Sequence, residues 1–114
     1  MKRIEAVIRS DRLNNVVTAL KEANVGGLTV TQSRGRGAGE RPMIAGCRGT
    51  TQYMADFNPR NTIITVVDDS KVDSTVSAIT DAAHTGVKGD GKIFITNVEE
   101  TIDIATKEKG SKSI

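Results

Sequence analysis

The sequence predicts an α+β domain built as a split βαβ unit, with one antiparallel four-stranded sheet and both helices on one of its faces. Two observations lead there. Strand-like alternation, helix-like periodicity and strand-like alternation follow one another in that order on both sides of residues 35–60. The intervening 26 residues carry neither period, so they separate two similar halves and add no element of their own. At 114 residues the chain reads as one domain, 1–114, long enough for a real core. Aromatics make up only 3%, so Val, Ile, Leu and Ala must fill that core.

Lys2 to Arg9 alternates, with Ile4, Ala6 and Ile8 on one face and Arg3, Glu5, Val7 and Arg9 on the other, as expected of a strand with one buried face. Ser10 is placed to cap a helix, with Asp11 in the first turn. Leu13, Val16, Val17 and Leu20 form the apolar face of that helix, and Gly26-Gly27 stops it. Leu28 to Ser33 is alternating and rich in β-branched residues, a second strand. Thr62 to Val67 is a third strand, broken by Asp68-Asp69-Ser70. Ser70 and Asp73 have the spacing of a capping box. Val72, Val76, Ile79 and Ala83 give a second helical face, which Gly86 closes. Gly89-Asp90-Gly91 is a tight turn into a fourth strand, Lys92 to Val98. Ile102 and Ile104 suggest a short extended piece, and the tail from Lys107 reads as polar and mobile. The sheet face that carries Val7 has no third helix to cover it, so self-association is expected.

The insert Gly35 to Arg60 holds five glycines, both prolines and four arginines. An insert this long in a compact domain points to a functional loop. The net charge of +2 does not by itself imply nucleic acid. Arg-Gly alternation at Gly35-Arg36-Gly37-Ala38-Gly39 could serve RNA or phosphate, or only as a hinge, and no neighbouring aromatics offer base stacking. The single Cys47 permits no internal disulfide, the N-terminus lacks the apolar core of a signal peptide, and no apolar run reaches membrane-spanning length. The expectation is a cytoplasmic protein.

Gly86-x-x-x-x-Gly91-Lys92 matches most of a phosphate-binding loop. However, Ile93 stands where the Mg²⁺-holding hydroxyl belongs, and the order helix–loop–strand is reversed. Its glycines could still crowd backbone N–H groups round an anion, and the plainer alternative is a helix C-cap and hairpin-like turn. His84, the lone histidine, reads as a C-terminal residue facing the helix dipole. No nucleophile, acid/base pair or metal-ligand cluster argues for an enzyme.

Taken in order, Thr29-Val-Thr after Gly27, Gly35-x-Gly37, Arg48-Gly49 with Tyr53-x-x-Asp56-Phe57, and Thr85-Gly86-x-x-Gly89-Asp90-Gly91-Lys92-Ile93-Phe94 closely resemble the PII nitrogen-regulatory signal proteins, from Met1 to about Lys109. The resemblance implies a ferredoxin-like βαββαβ fold assembled as a homotrimer, with an adenine nucleotide (ADP, AMP or ATP) in each cleft between subunits. By position it implies nucleotide-site roles for Thr29, Gly35, Arg36, Gly37, Val66, Gly89, Asp90, Gly91 and Lys92. The loop at about 37–56 resembles the T-loop, with Arg41, Arg48 and Tyr53 facing an ammonium transporter or nitrogen-metabolism enzyme. A membrane would be met only through such a transporter. Residues 84–92 resemble the loop that wraps the phosphates, and Tyr53 matches a tyrosine that some members have nucleotidylated.

The departures concern ligands. Ala38-Gly39 stands where members commonly have Arg-Gln, Arg60 replaces a lysine that pairs with 2-oxoglutarate, and Asp103 and Ala105 replace two phosphate-binding arginines. Each lost charge-assisted bond is worth about 1.5–3 kcal/mol, so two cost roughly 100-fold or more in affinity. ADP or AMP is expected to bind at least as well as ATP, and Mg²⁺ and 2-oxoglutarate weakly or not at all. The alternatives are a PII-like sensor of another metabolite or of carbon status, and an RNA-binding module using Arg34 to Arg48.

Overall fold

A computed structural model describes residues 1–37, 43–45, 52–54 and 57–114. The chain runs β1 (Lys2–Arg9), α1 (Leu13–Glu22), β2 (Thr29–Gly35), β3 (Met43–Ala45), β4 (Gln52–Met54), β5 (Asn58–Val67), α2 (Val72–Ala83) and β6 (Gly91–Asn97). Four strands form one sheet in the order β2-β5-β1-β6, and every neighbouring pair is antiparallel. This is the predicted α+β architecture, the ferredoxin-like split βαβ unit.

The period-two pattern of β1 sends Ile4, Ala6 and Ile8 into the core. There they meet Val16 and Leu20 of α1, Ile63 and Val67 of β5, and Ile79 and Ala83 of α2. Two buried threonines on this side are satisfied: the Thr65 hydroxyl donates to the Gly27 carbonyl at 2.6 Å and that of Thr75 to the Lys71 carbonyl at 2.7 Å. Arg12 joins the helices, donating from Nε and Nη2 to the Ala82 carbonyl at 3.0 and 2.7 Å.

Several boundaries differ from expectation. Helix α1 stops before Gly26-Gly27, because Asn24 adopts φ 58° and the Asn24 and Val25 amides bond the Lys21 and Leu20 carbonyls. That is a Schellman motif with asparagine in the left-handed position, and buried Val25 supplies its apolar contact. A short 3-10 turn, Ser10–Arg12, precedes α1 without a side-chain cap from Ser10. Before α2, Asp68 and not Ser70 accepts, taking the Ser70 amide and hydroxyl, so the expected capping box does not form.

Strand β5 begins at Asn58, four residues ahead of the expected Thr62, and draws Arg60 into the sheet opposite Arg9. Pro59 is tolerated because β1 ends opposite Arg60, so β5 has already lost that neighbour. The predicted unstructured insert contains the antiparallel pair β3–β4, in whose backbone register residue 44 pairs with residue 53. At the other end, Ile104 is not extended but lies in a turn. The tail folds back, with Ile102 bridging to Lys109 and the Gly110 amide bonding the Thr101 carbonyl at 2.9 Å.

The register puts Arg3, Glu5, Val7 and Arg9 of β1 on the face away from the helices. Beside them lie Arg60, Thr62, Ile64 and Val66 of β5, and Phe94 of β6, which is 51% exposed. Neither helix covers this face.

Candidate functional site

The site is built at the end of the sheet where β1 finishes and β6 begins. Helix α2 ends at Ala83, and His84 turns extended at ψ 127°. The chain then doubles back round one carboxylate. Asp90 accepts from the amides of Thr85 at 2.7 Å and Gly86 at 3.0 Å, from the Thr85 hydroxyl, and from Arg9 Nε at 3.1 Å. Arg9 Nη2 also donates to the Lys88 carbonyl at 3.1 Å. These donors, those of Thr85 first, then Gly86 and Arg9, hold the Asp90 carboxyl well below the usual carboxylate range. Asp90 therefore stays ionised and is engaged inside the loop. His84 is the C-cap residue of α2, and its imidazole Nδ1 stands 3.7 Å from Asp90 Oδ2.

Gly91 follows in a conformation open only to glycine. Its φ is 125°, and a Cβ there would stand 1.9 Å from the Val7 carbonyl oxygen. This approach sets β6 beside β1 with Ile8 opposite Gly91, and it turns Lys92 onto the open face opposite Val7.

A cavity of about 400 Å³ lies against this corner. Gly35, Arg36 and Gly37 at the exit of β2 form one wall, and Lys88, Gly89, Gly91 and Lys92 the opposite one. Arg60 lies between them, and Val7 and Phe94 supply the apolar floor. Gly35 makes room for Arg60, since a Cβ there would stand 3.2 Å from the Arg60 Cγ. Burial, and next the charge of Arg9, draws the Arg60 guanidinium below its ordinary value, while Asp11 and Asp90 oppose the shift. Four cations, Arg36, Arg60, Lys88 and Lys92, thus converge on one cavity, and the nearby carboxylate of Asp90 is already shared with Arg9. Such a cavity suits a multiply charged anion with an apolar portion.

Seven of the residues named from sequence meet in this corner: Gly35, Arg36, Gly37, Gly89, Gly91 and Lys92 in the cavity walls and Asp90 behind them. Thr29 and Val66 do not. Thr29 opens β2 opposite Ile64, and Val66 lines a separate hollow of about 280 Å³ with Asn24, Ser111 and Ile114. Val66 is six residues along β5 from Arg60 on the same face, roughly 20 Å at strand rise. In the tail after β6, Asp103 accepts from the Thr106 and Ala105 amides, both at 2.9 Å, which lowers its pKa and keeps it negative.

Arg41 and Arg48 lie outside the described residues, and the backbone of Tyr53 lies in β4. The sequence reading missed Lys88, Phe94 and Arg9 as parts of this corner. Arg9 gave no local signal, because its partner Asp90 is 81 residues away. Among the described residues, no three His, Cys, Asp or Glu side chains group as metal ligands, and no helix is long and apolar enough to cross a membrane.

Comparison with known proteins gives a consistent picture. The family model described as nitrogen regulatory protein P-II matches residues 1–108. The chain is 44% identical to the nitrogen regulatory protein P-II of Azospirillum brasilense, covering all of both chains. It is 43% identical to nitrogen regulatory protein P-II 2 of Methanothermobacter thermautotrophicus, covering all of this chain and 97% of that one. It is 41% identical to the P-II protein of Nostoc punctiforme, again over the whole of both.

Proposed function

The chain belongs to the nitrogen regulatory P-II family, and we propose that it is a signal protein that reads adenine nucleotides with the cationic corner of its sheet and reports them to a partner through residues 37–56. The observation that carries this reading is the convergence of Arg36, Arg60, Lys88 and Lys92 on one cavity beside glycine backbone. The phosphates lie against these cations, and the base packs on apolar surface such as Val7 and Phe94.

Thr29 and Val66, roughly 13 and 20 Å from Arg60 along the sheet by strand rise, complete the site from a neighbouring copy. A ring of three copies, each setting its Thr29–Val66 end against the next copy's cavity, brings both groups to one ligand. Arg36 takes the place of a cation at position 38, where Ala38 has none to offer. Asp103 opposes a third phosphate at the Val66 end, so ADP or AMP binds at least as well as ATP.

Arg36 and Gly37 lead directly into residues 38–56, so a ligand held at Arg36 biases that segment and hence the docking of an ammonium transporter or a nitrogen-metabolism enzyme. Calorimetric titration with AMP, ADP and ATP, each with and without Mg²⁺ and 2-oxoglutarate, tests the reading. Expected are ADP or AMP affinities equal to or above that of ATP, and no gain from 2-oxoglutarate. Tight Mg-ATP binding strengthened by 2-oxoglutarate contradicts the nucleotide preference, and no binding of any nucleotide contradicts the site.

A further inference from the structure

Arg9 is not in the cavity wall, yet it touches the loop that forms that wall at two points. Its Nε meets Asp90 Oδ1 and its Nη2 the Lys88 carbonyl, each at 3.1 Å, across 81 and 79 residues of sequence. The Lys88 carbonyl is thereby turned toward Arg9, while Lys88 itself lines the cavity. Asp90 gathers the Thr85 and Gly86 amides. Side chains 9 and 90 are 28% and 22% exposed, so the pair is shielded more than a surface ion pair.

We propose that Arg9 is the positioning residue of the anion-binding loop. Anchored at the end of β1, it fixes the shape of residues 84–91 before any ligand arrives and neutralises a carboxylate that would otherwise repel an anion there. The inference rests on the reading of the cavity as a phosphate site, and it concerns a residue that the ligand does not touch.

The geometry favours arginine at position 9. One guanidinium reaches a carboxylate and a carbonyl at once, whereas a lysine ammonium at the end of a flexible stem is not held to both. Loss of Arg9 has two consequences. The loop is freed to sample other shapes, which an anion must then select at a cost in affinity. Asp90 also loses its counter-charge beside the four cavity cations, which cancels part of their field at the site.

The test uses the full chain with Arg9→Ala, Arg9→Lys and Asp90→Asn, read by amide hydrogen exchange without ligand and by titration with ADP and with inorganic pyrophosphate. Arg9→Ala is expected to speed exchange at Thr85 and Gly86, with β1 and β6 amides unchanged, and to weaken both ligands about tenfold, the scale of one charge-assisted bond. Arg9→Lys recovers part of the affinity. Asp90→Asn, which keeps an acceptor but no charge, speeds the same two amides, and the double variant with Arg9→Ala adds little. Unchanged exchange at Thr85 and Gly86, or faster exchange spread through the whole sheet, overturns the positioning role. A native chain that binds neither ADP nor pyrophosphate instead overturns the phosphate reading on which the role rests, and the exchange result separates the two failures.

Discussion

Asp90 and Gly91 are neighbours with opposite requirements: one needs its charge, the other the lack of a side chain. At Gly91, alanine meets both a left-handed φ of 125° and the Val7 carbonyl oxygen at 1.9 Å. Strain of that kind costs about 1–3 kcal/mol and overpacking about as much again, so Gly91→Ala is expected to lose about 3 kcal/mol or more in urea denaturation. Gly26→Ala is the control, since its Cβ meets nothing within 4 Å, and it is expected to change stability by less than about 1 kcal/mol. At Asp90 the argument runs through pH. Its folded pKa lies below the unfolded one, so its stabilisation is complete above the ordinary carboxylate pKa of about 4 and is lost as pH falls from there through the folded value. Asp69, bonded to the N-terminal amino group, and Asp103 are shifted in the same direction. Stability followed from about pH 7 down to about pH 2 is therefore expected to fall on the acid side in the native chain. In Asp90→Asn it starts lower and falls less, with a residual slope from Asp69 and Asp103. Equal acid slopes in the two proteins contradict the assignment.

At the scale of elements, what the sequence revealed was periodicity, and what it hid was contact between distant residues. The two helices and four main strands were legible because their apolar residues recur at 3.6 or 2 positions, a property each segment carries alone. The pair β3–β4 was not legible, because three residues a side are too few to display alternation. The early start of β5 was hidden by Pro59, a residue that argues against a strand unless the missing neighbour is known. In the site, the glycines and Lys92 were legible as a loop signature, whereas Arg9 and the separation of Thr29 and Val66 from the cavity depend on register, which no local pattern encodes. The end of α1 shows the same division. Gly26-Gly27 drew the prediction, yet Asn24 closes the helix, because asparagine tolerates the left-handed conformation that the Schellman bonds require. Asn24→Ala is accordingly expected to lower stability by about 1 kcal/mol and Asn24→Gly to leave it level or slightly raised. Thermal unfolding of the pair checks this, and a neutral alanine variant contradicts the motif's role.

At the scale of the whole molecule, the fold leaves one sheet face without cover, and that face carries both ends of the proposed site. Val7 and Ile64 lie on it half-buried and Phe94 half exposed, so a lone chain would present apolar surface to water. In the ring proposed above, a head-to-tail contact would bury this surface and tie assembly to ligand binding, because each site would then need two copies. The expected species in sedimentation has three times the 12.2 kDa of the chain. Ile64→Lys probes the contact without breaking the fold. Position 64 is half-buried opposite Glu5, which Arg3 already bonds at 2.9 Å, so a lysine there keeps its ammonium in water in the isolated chain but carries it into an apolar interface on assembly. The variant is expected to keep native helix and strand content, to sediment as a monomer at micromolar concentration, and to lose nucleotide binding with it. Retained binding in a monomeric variant would show that one chain holds the whole site, and a native chain that is itself monomeric would break the link between the open face and the ring.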